Sequence, residues 1–295
     1  MSRSTRISIA LALLAALVAS GCGGQSGASD SKGGKLALVA YSTPQEAYEK
    51  IIPAFTKTSA GNGVGFTQSY GASGEQERAV EAGLPADVVA LSLEPDVTKL
   101  VKKGLVASNW NADKYKGMVT DSIVVFAVRK GNPKHIKTWD DLVKPGVDVV
   151  SPNPFTSGGA KWNISAAYGA QIQQGKSPQQ AQDYLGKLFK NVSVLDKSAR
   201  EALSTFTSGK GDVLIAYENE AITAQQKGQD LDFVRPDQTI LIENPAAVIE
   251  KSKEKAKAQA FVDFLRTDAA QKIYASKGYR TVVPALADKK TYPDP

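Results

Sequence analysis

The sequence predicts an α/β fold with largely parallel sheets, because short apolar runs alternate with helical patterns along most of the chain. The part that follows the N-terminal tail is about 260 residues long, which is more than one typical domain and enough for two. The strand-like runs that carry this prediction are residues 36–41, 64–70, 86–91, 123–128, 147–150, 192–195, 213–217, 231–234 and 239–242.

Helix-start signals follow several of these runs directly. Three are capping boxes, in which a hydroxyl and a side chain three residues later satisfy free backbone N–H groups. They are residues 43–46 (Thr-Pro-Gln-Glu), 73–76 (Ser-Gly-Glu-Gln) and 198–201 (Ser-Ala-Arg-Glu). We expect Glu46 and Glu201 to turn back onto their own helix caps, and Glu218 to point away from the neighbouring Tyr217.

The fourth signal lies in residues 152–163, a turn held between Pro152 and Pro154 and followed by Ser157, Gly158 and Gly159. Proline disfavours the α region for the residue before it, so this turn is predicted to be rigid and extended. Helical spacing resumes at Trp162, which predicts a helix whose first N–H groups are free. Taken alone, an ordinary N-cap serine explains the pattern equally well.

Four such helix starts together favour an anion site. In an open α/β sheet, ligands bind at the carboxyl ends of the strands, where these helices begin. Free N–H groups and the positive end of the helix dipole attract anions there. Arg78, Lys161 and Arg200 lie near these helix starts, and either longer-range attraction or a solvated helix face would explain them.

Two breaks divide the body of the chain. Gly131, Asn132 and Pro133 end the long run that covers residues 119–130, and residues 235–237 (Arg-Pro-Asp) precede the last strand-like run. We place lobe boundaries near residues 120 and 237. Lobe 1 then comprises residues 35–120 and 238–295, lobe 2 comprises residues 121–237, and two chain crossings form a hinge.

The N-terminus predicts export. Arg3 and Arg6 precede an apolar run over residues 7–18, which is too short to span a bilayer comfortably, and small residues follow it. Residues 19–22 (Ala-Ser-Gly-Cys) resemble a bacterial lipobox, with Ala19 in place of the usual leucine. We therefore expect a signal peptide at 1–21, lipid on Cys22 and a flexible tether over 22–34, while secretion with an idle cysteine is the alternative.

Composition argues against other classes. The net charge of +6 is scattered, so it leaves no nucleic-acid footprint. A serine hydrolase would need a base, and the single histidine, His135, lies in a polar loop with no Gly-x-Ser-x-Gly elbow elsewhere. One cysteine and one histidine cannot form a zinc site, so no metal, no cofactor and no enzymatic activity are expected.

Several longer motifs resemble the sulfate-binding proteins of ABC importers, over about residues 36–283. They are residues 71–74 (Gly-Ala-Ser-Gly), 86–91 (Ala-Asp-Val-Val-Ala-Leu), 128–134 (Val-Arg-Lys-Gly-Asn-Pro-Lys), 139–142 (Trp-Asp-Asp-Leu), 144–147 (Lys-Pro-Gly-Val), 152–163, 188–192 (Leu-Phe-Lys-Asn-Val) and 211–221, which begins Gly-Asp-Val-Leu-Ile-Ala-Tyr. The resemblance implies the type II periplasmic-binding-protein fold, in which two α/β lobes joined by a two-stranded hinge close over the ligand.

The resemblance also implies a set of sulfate contacts. Carried over to this sequence, they fall at Ser42, Ser73, Ser157, Gly158, Gly159, Ala199 and Tyr217. Tyr217 stands where well-known members have tryptophan; a phenol can accept a hydrogen bond as well as donate one, whereas an indole only donates. Ser42 stands where several members have aspartate, and Ser198 replaces the family's glycine before Ala199.

The donor types favour sulfate over phosphate. Sulfate at neutral pH has no proton to donate, so its ideal pocket holds donors and no unpaired acceptor, which would cost about 1–3 kcal/mol. None of the seven positions is acidic. Molybdate, tungstate, thiosulfate and phosphate stay open as alternative ligands. A secreted serine hydrolase is the less favoured alternative class of protein.

The expected partners are sulfate, the permease subunits of an ABC importer, and the membrane through the lipid on Cys22. The chain is expected to act as a monomer on the outer face of the cytoplasmic membrane, with no nucleic-acid partner.

Overall fold

The computed structural model describes residues 34–293, so the expected signal peptide, Cys22 and the tether before Gly34 lie outside the described residues. The strands are β1 (Lys35–Tyr41), β2 (Gly65–Gly71), β3 (Val88–Ala90), β4 (Met118–Arg129), β5 (Val149–Pro152), β6 (Val192–Asp196), β7 (Val213–Tyr217), β8 (Leu231–Val234) and β9 (Leu241–Val248). The α-helices are α1 (Gln45–Thr56), α2 (Ser73–Glu81), α3 (Glu94–Lys102), α4 (Gly158–Gln173), α5 (Pro178–Asn191), α6 (Ala199–Thr207), α7 (Glu218–Gln226), α8 (Lys255–Phe264) and α9 (Asp268–Ala275).

The strands pair in the order β2-β1-β3-β9-β4-β7-β5-β6, and β8 pairs with β4. Strand β1 is parallel to β2 and β3, and β5 is parallel to β6 and β7. Every pair that includes β4 or β9 is antiparallel. The expectation of parallel pairing therefore holds within each group of βα units, whereas the two long strands between the groups run against their neighbours.

Strands β4 and β9 connect the two groups. Residues Met118–Ile123 of β4 pair with Leu241–Pro245 of β9. Beyond that stretch β4 continues alongside β7, and β9 continues alongside β3. Strand β9 therefore adjoins the group of β1, β2 and β3, strand β4 adjoins the group of β5, β6 and β7, and their mutual pairing makes the sheet continuous.

Alternating side chains along the strands build a core on each face of the sheet. Around β1 and β3, one cluster includes Leu38 and Val88 with helices α1, α8 and α9, and another includes Val39 and Val89 with α2 and α3. Around β4 and β7, one cluster packs on Trp139 and another on residues of α6 and α7. The molecule thus has hydrophobic cores on both faces of both parallel groups.

The sequence located the strands closely, with one informative error. The run 239–242 predicts a strand that ends at Ile242, but β9 is Leu241–Val248. Pro245 interrupts the apolar pattern there, and proline is tolerated because the pairing with β4 is irregular between Met118 and Thr120, opposite Pro245. Within residues 34–293 no helix is both long and apolar enough to cross a bilayer.

Candidate functional site

The carboxyl ends of β1, β2, β3, β5, β6 and β7, with the segments that follow them, surround one cavity of about 10 Å³. Its walls contain every residue that the sequence predicts for the site. The lining residues are Tyr41, Ser42, Thr43, Ala72, Ser73, Ser92, Ser157, Gly158, Gly159, Ala199 and Tyr217. Sequence reasoning missed Tyr41, Thr43, Ala72 and Ser92; the available signal was their position at or just after a strand's carboxyl end.

Helices α2, α4 and α6 begin at this cavity with free donors. Their first residues are Ser73, Gly158 and Ala199, and Gly159 follows Gly158. Among residues 34–293, the backbone N–H groups of these four residues have no acceptor. Three helix dipoles and these N–H groups give the cavity wall a positive electrostatic potential, with no cationic side chain among its lining residues.

Two of the four expected serine or threonine caps are confirmed. Ser157 Oγ accepts from Ala160 N–H over 3.4 Å, and Ser198 Oγ accepts from Glu201 N–H over 3.2 Å. The box at Thr43 is wrong, since α1 is capped by Pro44 without a side-chain bond and the Thr43 hydroxyl lies 3.0 Å from that of Tyr279.

The box at Ser73 is also wrong, because Ser73 is already inside helix α2 and Ala72 holds the cap position. Ser73 Oγ donates to Asp96 Oδ2 over 2.8 Å and accepts from the N–H of Ser92 over 3.0 Å. Lys99 and Lys161 pair with the other oxygen of the fully buried Asp96. Ser73 can therefore offer the cavity its backbone N–H but not its hydroxyl proton.

Tyr217 meets Ser92 at the cavity wall, with 2.6 Å between the two hydroxyl oxygens. Both side chains are buried. Burial raises the pKa of Tyr217 well above its usual value, and the hydrogen bonds to Ser92 and Asn244 only partly oppose this. The phenol therefore keeps its proton at neutral pH and remains a donor.

Hydrogen bonds beside the cavity join the segments that surround it. Trp162 Nε1 donates to the carbonyl oxygen of Ser92 over 2.9 Å, and Asn244 Nδ2 donates to the same oxygen over 2.8 Å. Gly74 N–H donates to the carbonyl oxygen of Thr156 over 3.0 Å. Helix α4 and the turn before it are thereby held against the segments that follow β2 and β3.

Charged side chains lie near the cavity but do not line it. Arg200 pairs with Glu46 and with the buried Glu220, and Lys227 also pairs with Glu46. Burial alone would raise the pKa of Glu46, but the bonds from Arg200 and Lys227 outweigh it and hold that pKa at about 2. The expectation that Glu46 folds back onto its own helix is therefore wrong.

The other acidic neighbours also lie outside the wall of this cavity. Glu218 pairs with Arg280 and Arg235, which agrees with its expected direction away from the cavity. Burial raises the pKa of Glu220, and Arg200 opposes that shift. Of the described residues that line the cavity, none is acidic.

Neither a serine-hydrolase site nor a metal site finds support among the described residues. His135 lies in an exposed turn with φ 51° and is not part of the cavity wall, so it cannot serve Ser157 as a base in this arrangement. Over the described part of the chain, no three His, Cys, Asp or Glu side chains are grouped to hold a metal ion.

Arg78, which was expected near a helix start, lies in the last turn of α2 instead.

Comparison with known proteins gives a consistent result. The family model described as bacterial extracellular solute-binding protein matches residues 36–280. A sulfate-binding protein of Synechococcus elongatus is 43% identical and the match covers 97% of this chain and 85% of that protein. A thiosulfate-binding protein of Pseudomonas aeruginosa is 37% identical over 85% of this chain and 79% of its own length.

A solved structure extends the similarity to three dimensions. The sulfate-binding protein SubI from Mycobacterium tuberculosis H37Rv superposes with a TM-score of 0.86 and is 45% identical, covering 88% of this chain and 92% of that one. A periplasmic binding protein of Actinobacillus pleuropneumoniae, at 21% identity and a TM-score of 0.69, shares the fold.

Proposed function

Because the chain belongs to the sulfate-binding protein family of bacterial extracellular solute-binding proteins, we propose that it captures sulfate in this cavity and delivers it to the permease of an ABC importer. The observation that carries the proposal is the convergence of Ser42, Ser73, Ser157, Gly158, Gly159, Ala199 and Tyr217 on one small cavity. No chemical step on the anion is required, so the protein acts as a receptor and not as an enzyme.

The donor set suits an anion that has no proton. Four free N–H groups at helix starts, the hydroxyl of Ser157 and one hydroxyl of the Ser92–Tyr217 pair can donate toward the cavity. Fixed dipoles in a dry site stabilise a dianion as an oxyanion hole does, because they need no reorganisation when the charge arrives. Sulfate fits this description better than hydrogen phosphate, whose proton would need an acceptor.

Glu220 is the residue best placed to accept a proton from hydrogen phosphate and so to weaken the preference for sulfate. It lines a second cavity of about 10 Å³ that shares Gly159, Ala199 and Tyr217 with the first. Its Oε2 has no hydrogen-bond partner among the described residues.

Thiosulfate is the second candidate ligand, because a relative at 37% identity is named for it.

The proposed lobes are residues 35–120 with 238–295, and residues 121–237. Strands β4 and β9, which pair with each other between the two parallel groups, are the two crossings of the proposed hinge. Contacts such as Trp162 to Ser92 and Gly74 to Thr156 join the two lobes beside the cavity, and we propose that they form when the lobes close over the anion. The permease would then distinguish the closed receptor from the open one.

We further propose that residues 1–21 direct export and that lipid on Cys22 holds the protein, as a monomer, at the outer face of the cytoplasmic membrane. The small-residue sequence before Cys22 and the polar stretch up to Gly34 support this arrangement. Labelling of cells with a radioactive fatty acid, with a Cys22→Ser variant as control, tests the anchor.

The decisive test is calorimetric titration of the anion-free protein with sulfate, thiosulfate, molybdate and phosphate. We expect sulfate to bind in the micromolar range or tighter and phosphate to give no heat. Comparable phosphate binding would place an acceptor, Glu220 first, in contact with the ligand. Absence of binding by every oxyanion would refute the proposed function.

A further inference from the structure

The hydroxyl of Ser92 lines the cavity beside that of Tyr217, and the family resemblance assigns a contact to Tyr217 but none to Ser92. Ser92 follows β3 and Tyr217 ends β7, so the pair joins two parts of the sheet at the cavity. The oxygens are 2.6 Å apart, and either can be the donor. A tryptophan at position 217 would bring one N–H donor; this chain brings two hydroxyls instead.

Proton counting limits what the pair can do. Two hydroxyls carry two protons, and one of these lies in the bond between the oxygens. The other proton is free to point elsewhere. If Tyr217 donates to Ser92, the proton of Ser92 is free; if Ser92 donates to Tyr217, the phenol proton is free. The pair as a whole has one donor to give in either arrangement.

The occupied backbone groups of Ser92 favour the cavity as the destination for that donor. The carbonyl oxygen of Ser92 already accepts from Trp162 and Asn244, and its N–H is bound to Ser73. Both side chains line the cavity and are about 1% exposed. Ser92 also touches the start of helix α4, since a Cβ added at Gly158 would lie 2.6 Å from Ser92 Oγ.

We propose that Ser92 is a ligand-binding residue and that it shares with Tyr217 a single, interchangeable hydroxyl donor to the bound oxyanion. This inference rests on the proposed function, because it assigns a role within the same anion site. The ligand class is a tetrahedral oxyanion whose oxygen lies against both hydroxyls. When one hydroxyl is removed, the other turns its proton to the anion.

The test is a double-mutant cycle of sulfate affinity, measured by calorimetry on wild type, Ser92→Ala, Tyr217→Phe and the double variant. Each single variant keeps one hydroxyl and is expected to lose less than about five-fold in affinity, whereas the double variant loses roughly ten- to hundred-fold. Tyr184→Phe is the matched control, because that buried phenol bonds to the carbonyl oxygen of Trp139, away from the cavity.

A second measurement does not depend on the double variant of Ser92→Ala with Tyr217→Phe being folded. Ser92→Cys replaces the hydroxyl by a weaker S–H donor. It should lower affinity clearly when combined with Tyr217→Phe, where the cavity relies on position 92, and only slightly in the wild-type background.

Two results would overturn the inference. If Tyr217→Phe alone loses as much sulfate affinity as the double variant, Tyr217 is the sole donor of the pair. A double variant that binds sulfate as the Tyr184→Phe control does would mean that neither hydroxyl contacts the anion. Failure of the wild type to bind sulfate would instead count against the proposed function itself.

Discussion

Arg200 Nη2 lies 3.0 Å from the carbonyl oxygen of Thr43, so a side chain of helix α6 reaches the segment that precedes helix α1. The same nitrogen also donates to Glu220 over 2.9 Å. Thr43 lines the cavity, and Ala199, the residue before Arg200, lines it from the other side. One guanidinium thus connects two walls of the site without facing the cavity itself.

Replacing Arg200 by methionine is expected to destabilise the protein by about 3–5 kcal/mol, because Glu220 is 1% exposed and would lose its charged partner. Sulfate affinity should fall as well, since Thr43 and Ala199 are no longer held together. Urea unfolding and calorimetry measure the two effects.

The double variant Arg200→Met with Glu220→Gln is the control, since it removes both charges. It should recover much of the lost stability, because the cost comes from an uncompensated buried charge. Equal instability of the single and double variants would show that the pair is not the cause.

Gly158→Ala should weaken sulfate binding roughly ten- to hundred-fold through overpacking. The new Cβ would lie 2.4 Å from Leu93 Cδ2 and 2.6 Å from Ser92 Cβ, so helix α4 must retreat from the segment after β3. Calorimetry gives the affinity. Gly169→Ala in the same helix has open space around its Cβ and should bind sulfate normally, with up to about 1 kcal/mol more stability.

Ser157→Asp should abolish sulfate binding. A carboxylate beside the dianion costs about 4 kcal/mol or more at an effective dielectric near 20, which corresponds to roughly a thousand-fold loss of affinity. Ser157→Ala removes only the cap and one donor, so it should lose far less. Unchanged affinity in the aspartate variant, with an intact fold by circular dichroism, would rule out the assigned site.

Asp121→Asn should stabilise the protein at neutral and alkaline pH. Burial raises the pKa of Asp121 to about 7, Glu243 opposite it on β9 adds to the shift, and Arg280 opposes it. Between the ordinary pKa of 3.8 and about 7 the folded state binds the extra proton, so wild-type stability falls as the pH rises through this window.

The variant lacks that pH dependence. Its advantage in the free energy of unfolding should be roughly 1–3 kcal/mol above pH 7 and should vanish near pH 4. Urea unfolding at several pH values measures it, with the exposed Asp237→Asn as control. A difference that does not change with pH would contradict the assignment.

Much of this protein could be predicted from local sequence. Apolar runs bounded by glycine and proline located β7 and β8 to the residue, because buried strands need such runs whatever surrounds them. The cap at Ser157 depends on a residue three positions along the chain, so it too was readable. Resemblance supplied the site residues, all of which line the cavity.

Tertiary contacts decided the rest. Thr43 and Ser73 have the sequence of helix caps, but Tyr279 and Asp96, which are distant in the chain, bind their hydroxyls instead. Ser92 carries no motif at all and becomes part of the site only because the sheet brings β3 beside β9 and places Tyr217 across from it. A hydroxyl bonds to whichever partner folding brings within reach, and sequence spacing specifies only the partners close along the chain.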